Sequence, residues 1–165
     1  MSDATAPISP RPAERDALLN APFIALILAH AARGHHKRTE RPMALSLCFV
    51  VAPIALHAPT RAALPRKVTA RFGGWLDTHP LLRAGMAGRA QAVAPAVRAG
   101  LREGLRAGAL TLTADQVSGQ PPRRPPGLTL SDEVEDILKR AEFVGGWLGL
   151  AGSPAAIYAM WRVKP

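Results

Sequence analysis

The chain has little of what enzymes and secreted domains depend on. It holds one cysteine, Cys48, in 165 residues, so no disulfide can form within it, and a reducing cytoplasm is the expected setting. Aromatic residues make up 5% of the sequence, with three tryptophans and one tyrosine. Acidic residues number 12 against 21 lysines and arginines. That leaves few carboxylates for acid–base work or metal binding. No apolar run reaches the roughly 18 residues of a membrane span, and the longest, Met43 to Ala58, is interrupted by Ser46, Pro53 and His57. Residues 1–19 hold three prolines and mixed charge but no apolar signal core, and read as a flexible arm. A phosphate-binding loop, a serine elbow and a repeat of fixed period are all missing.

Two features that invite chemistry have plainer readings. His30, His35 and His36 lie within seven residues, yet no cysteine or carboxylate pair stands beside them to complete a metal site. Cys48 sits among Leu47, Phe49 and Val50, the setting of a buried apolar thiol, whereas a nucleophile needs basic, partly exposed surroundings. No catalytic step, metal or cofactor is expected.

What the sequence does have is positive charge. The net charge is +9 and the pI about 11.2, which points to a polyanionic partner, nucleic acid before membrane. Arginine far outnumbers lysine, so part of the excess follows from GC-rich coding. A length of 165 residues with 48% hydrophobic content is enough for one domain with a real core. The fold class expected is mainly α with a small β-hairpin, over residues 20–165.

Asn20 can cap a helix from about Ala21 to Gly34, with Phe23, Leu26, Ile27 and His30 on one face and Ile24 and Leu28 widening it. His35 to Arg38 then reads as a basic connection. A second apolar helix is expected from about Pro42 to His57, kinked at Pro53. Thr60 to Pro65 adds a turn, and Arg61, Arg66, Lys67 and Arg71 make the following connection strongly basic. Residues 68–120 look winged-helix-like: short helices at 69–78, with Phe72, Trp75 and Leu76 on one side, at 81–92 and at 94–107, then a hairpin. The last of these helices carries Val97, Leu101 and Leu105 at spacing four and ends at Gly108. In the hairpin, Leu110 and Leu112 alternate with Thr111 and Thr113, Ala114-Asp115 turns and Gln116 to Ser118 returns. Residues 119–128 form a Pro/Arg-rich loop. Residues 131–165 form a helix pair: Ser131 caps the long helix, Asp132, Glu133 and Glu135 suit its positive end, and Gly152-Ser153-Pro154 breaks it from a short terminal one.

Candidate contact residues follow from this layout. Arg98, Arg102 and Arg106 recur every four residues and share one helix face, where unpaired guanidiniums could grip DNA phosphates. Arg123 and Arg124, on the loop, are candidates for the same role. Trp147, Tyr158 and Trp161 put much aromatic surface at one end of the chain, to be buried in its own core or against a partner. Its own core is the expected place.

The segments Asn20-Ala21-Pro22-Phe23, His57-Ala58-Pro59-Thr60-Arg61-Ala62-Ala63-Leu64-Pro65, Trp75-Leu76 to Leu82-Arg83, the arginine helix with its hairpin, and Gly146-Trp147-Leu148 to the basic tail carry a family resemblance. Over most of residues 20–165 the chain resembles the middle component of bacterial ABC-three-component systems of the Lamassu defence type. That resemblance implies a small non-catalytic subunit acting between an SMC-like ABC ATPase and an effector, often a nuclease, in a complex that senses foreign DNA; with the arginine stripe, the expected contact is with double-stranded DNA without sequence preference. The resemblance implies no catalytic residues, and no membrane partner is expected from the short apolar runs. A stand-alone winged-helix DNA-binding regulator is the alternative that the arginine stripe and hairpin leave open.

Overall fold

The computed structural model describes residues 19–164; all of the expected arm except Leu19 lies outside the described residues. Helix α1 (Ala21–Thr39) starts at the expected cap, where the Asn20 side chain accepts from the Phe23 N–H at 2.8 Å. It does not stop at Gly34. It runs to Thr39 and ends at Glu40 with φ 58°, so His35 to Arg38 are its last turn rather than a connection. The positive charge of Lys37 and Arg38 suits the negative end of the helix.

The expected helix from Pro42 to His57 is also corrected. Met43–Ala44 form strand β1, Leu45–Leu47 a 3₁₀ turn, and helix α2 covers only Cys48–Leu56, with Pro53 inside it. Helices α3 (Ala58–Ala63), α4 (Phe72–Asp77) and α5 (Pro80–Ala84) are short. Helix α6 (Met86–Arg106) is one element of 21 residues where two were expected. Pro95 lies inside it, and the carbonyl deprived of its usual donor belongs to Gln91, an exposed residue that solvent can serve.

Strands β2 (Leu110–Thr113) and β3 (Gln116–Gly119) form the expected hairpin, with Ala114 at φ 55° in its turn. The hairpin has a third partner: β1 pairs antiparallel with β3, Met43 opposite Val117, giving the order β1-β3-β2. The chain is therefore mainly helical with a small three-stranded antiparallel sheet. Helix α7 (Asp132–Ala151) begins at the Ser131 cap, whose Oγ accepts from the Val134 N–H. After Gly152, at φ 122°, helix α8 (Pro154–Trp161) turns away by 104°. No single helix among the described residues is long and apolar enough to cross a membrane.

Helices α1 and α7 are the central pair. At their crossing the Gly34 Cα meets the Glu142 carbonyl and the Gly145 Cα meets the Ala31 carbonyl, with no room for a Cβ at either place. Helix α6 lies against α1 in the same way, Gly100 on Ile24 and Gly104 on Ala25 and Leu110. The expected Val97/Leu101/Leu105 stripe is thus only partly the core face. Val97 is buried, Leu101 is half-buried and Leu105 is 39% exposed. The glycine side of the helix took the core position.

At the far end of α7, Trp147 and Trp161 join Phe72 and Trp75 in an edge-to-face cluster, with ring centroids 4.9–6.1 Å apart. Trp147 donates to the Ala70 carbonyl and Trp75 to the Ala63 carbonyl, each at 2.7 Å. Tyr158 donates to the Ser46 carbonyl at 2.7 Å. The Trp161 N–H finds no acceptor among the described residues.

Candidate partner and nucleic-acid interface

The three aromatic candidates are buried in the chain, and Tyr158 also lines the groove described below. Trp147 and Trp161 are 1% exposed and Tyr158 7%, all within the chain's own core. The 104° break after α7 is what folds α8 back so that Trp161 reaches Phe72 and Trp75.

The arginine stripe is on the surface, but its members differ. Arg98, Arg102 and Arg106 are all exposed. Arg106 is held by Glu103, with Nη2 donating to Oε1 at 2.7 Å, and that hydrogen bond to the carboxylate raises the Arg106 pKa. Arg98 lies over the Phe49 ring, 5.8 Å from its centroid, a cation–π contact that spans α6 and α2. Arg102 pairs with no carboxylate among the described residues. On the loop, Arg124 pairs with Glu135 at 2.8 Å, while Arg123 is exposed without such a partner. A hollow of about 790 Å³ lies under that loop, between it, α1 and α7.

Arg61 belongs elsewhere than the surface expected of it. It is 6% exposed and donates to the Ala55 carbonyl at 2.8 Å, to Asp136 at 3.2 Å and to Glu133 at 3.4 Å. It ties the end of α2 to the start of α7. The acids that neutralise it lie more than seventy positions along the chain, so the local sequence gave no sign of them.

A second ionic centre joins α1 to α7. Glu142 accepts from Arg33 and from Lys37, the latter at 2.6 Å, with the His30 ring 3.5 Å away. Burial alone would raise the Glu142 carboxyl. The hydrogen bonds from Lys37 and Arg33 outweigh it and hold the pKa at about 2. His30 is lowered by burial and then by the charge of Arg33. His35 is lowered by burial too, and its Nδ1 lies 3.1 Å from the Arg41 carbonyl. These histidines are structural parts of a helix packing surface. No group of three His, Cys, Asp or Glu side chains among the described residues is placed to hold a metal. Burial pushes the Cys48 thiol up to about 12, which leaves it protonated and inert at neutral pH.

One open apolar feature is absent from the sequence reading. A groove of about 780 Å³ runs between α6, the 3₁₀ turn and the last residues of the chain, and it continues into a second hollow of about 290 Å³ beside the hairpin. The two share Leu45, Phe49 and Arg98. The wall that α6 provides is regular: Ala87, Ala90, Gln91, Ala94, Arg98, Leu101, Arg102 and Leu105 follow one another at helical spacing. The signal was present in that spacing, but Leu101 and Leu105 were assigned to the core. Its polar lining comprises Ser46, Gln91, Asp115, Tyr158 and the cations Arg98, Arg102, Arg162 and Lys164.

Comparison with known proteins agrees with a part in an assembly. A family model described as ABC-three component (ABC-3C) system Middle Component 3 matches residues 8–165. No curated protein matches the chain, and no solved structure does.

Proposed function

Because the chain belongs to the Middle Component 3 family of ABC-three-component systems, we propose that it is a non-catalytic accessory subunit in a bacterial defence complex of the Lamassu type. In this reading it binds an SMC-like ABC ATPase on one side and an effector, such as a nuclease, on the other, in the cytoplasm. The observation that carries the reading is the family match over residues 8–165. The surface supports it as well: an open apolar groove lined by one face of α6 suits a protein partner better than a small substrate.

Contact with double-stranded DNA is the second element of the proposal. It rests on the net charge of +9 and on exposed cations without a carboxylate among the described residues, notably Arg66, Lys67, Arg71, Arg102 and Arg123. Such contacts bind phosphate and not sequence, so affinity falls steeply with salt. Co-expression with the ATPase and effector encoded beside it tests the main claim: the three should co-elute on size exclusion. A chain that stays alone in the presence of both refutes it. The stand-alone winged-helix regulator predicts the reverse, tight binding of the isolated chain to one DNA site against competitor.

A further inference from the structure

We propose that the α6 groove is the docking site for an amphipathic α-helix of a partner protein, apolar on one face and acidic along its flank. The inference rests on the accessory-subunit reading and names the chemistry of its partner.

The dimensions come from α6 itself. Its groove-facing residues run from Ala87 to Leu105, a path of about 27 Å at 1.5 Å per residue, room for a partner helix of about five turns. Near Ala87, Ala90 and Ala94 the wall is made of small side chains, which let two helix axes come close. Toward the hairpin it becomes Leu101, Leu105 and Leu112, the last two 39% and 41% exposed. Large apolar side chains on a partner would interdigitate there, the helix-in-groove mode of recognition. The neighbouring face of α6, about 100° round the helix, is already filled by Ile24 and Ala25 of α1 at Gly100 and Gly104, whereas the groove face is not covered by α1.

Charge selects the occupant. Arg98, Arg102, Arg162 and Lys164 line the groove, against a single acid, Asp115. A neutral or basic helix would leave those cations uncompensated, whereas glutamates or aspartates beside the apolar face would meet them. The apolar floor argues against nucleic acid, which offers phosphate and sugar along its exterior and gains nothing from Leu105 or Leu112. A second copy of this chain is disfavoured by the same charge, since the groove would then face a surface of net charge +9.

The test uses the full chain co-expressed with its ATPase and effector. A photo-crosslinking residue is placed at Ala90 or Leu105, with Leu150, 50% exposed on α7, as the control. Cross-links from both groove positions that map to one helix of a partner with an apolar face flanked by acids support the proposal. Cross-links to a second copy of this chain or to DNA overturn it, as do cross-links from Leu150 alone. In parallel, Leu105→Asp with Leu112→Asp, and separately Arg98→Glu with Arg102→Glu, should each weaken the complex by roughly tenfold or more. The charge variant should also lose most of the salt dependence of association. Both pairs lie on the surface, so the melt of the isolated chain verifies that the fold survives. Wild-type affinity in both variants refutes the groove while leaving the accessory role standing. Failure of the wild type to form any complex removes both.

Discussion

Gly145→Ala is the sharpest test of the fold described here. In an exposed helix interior the change should help, because alanine is favoured over glycine by about 0.5–1 kcal/mol. At Gly145 the added methyl group would be driven into the Ala31 carbonyl, with that residue's carbonyl carbon and Cα close behind. These are backbone atoms of a 19-residue helix, so no side chain can swing aside. Either α1 and α7 separate along their whole contact or one bends. Overpacking of this kind costs about 1–3 kcal/mol, and a rigid backbone neighbour puts it at the upper end. After the gain in helix propensity the net loss is about 2–2.5 kcal/mol, or roughly 4–10 °C in Tm for a domain of this size. Gly88→Ala is the matched control, since its Cβ would meet nothing within 4 Å, and its Tm should hold or rise by a degree or two. Thermal melts of the two isolated variants by circular dichroism decide the matter. A Gly145→Ala protein that melts at or above the wild type would refute the close crossing.

Three further outcomes follow from the core and its ion pairs. Trp161→Ala should cost about 3–5 kcal/mol in the isolated chain, because the ring is 1% exposed among Phe72, Trp75 and Trp147; a Tm shift below two degrees would contradict that burial. Arg61→Ala should cost about 2–3 kcal/mol, since it strands the Ala55 carbonyl and removes a buried charge from two partly exposed acids; urea titration reads it, and a loss under half a kcal/mol sinks the tie between α2 and α7. Acidification should act in two stages. His30 has a folded pKa below its usual 6.5, so the unfolded chain takes up the proton first and stability starts to fall as pH drops through about 6.5. The Glu142 contribution is whole above its ordinary 4.5 and is lost as pH falls from there toward about 2. Melts across this range should show a lower-pH decline that Glu142→Gln flattens, and an identical decline in that variant would rule out the carboxylate as its source.

Local signals told the truth where the chemistry was local. Asn20, Ser131 and Ser153 each cap a helix through a bond three residues away, and the Ala114-Asp115 turn joins strands that are neighbours in sequence. Glycine was the misleading residue. Gly34 read as a helix stop, and the spacing of Val97, Leu101 and Leu105 drew attention away from Gly100 and Gly104. In the structure all three glycines stand where another helix or strand arrives too closely for a side chain. Nothing within α1 or α6 announces that arrival, because the incoming atoms belong to residues far away. The same distance hid β1, whose two residues become a strand only through Val117 and Gln116. It hid the groove too: Leu101 and Leu105 have core-like spacing, and only the filled glycine face, about 100° round the helix, shows which side the core took.

The crossing of α1 and α7 has a consequence in time. Arg33 and Glu142 meet across 109 positions of chain, and the ring cluster is incomplete until residue 161 joins it. During synthesis α1 emerges early, with Ile24, Ile27 and Leu28, all fully buried in the finished protein, and no α7 to receive them. Contacts this far apart close slowly, since the loop entropy is lost before the contact forms. A ribosome that stalls inside α7 would therefore release a sticky apolar helix rather than a partly working subunit.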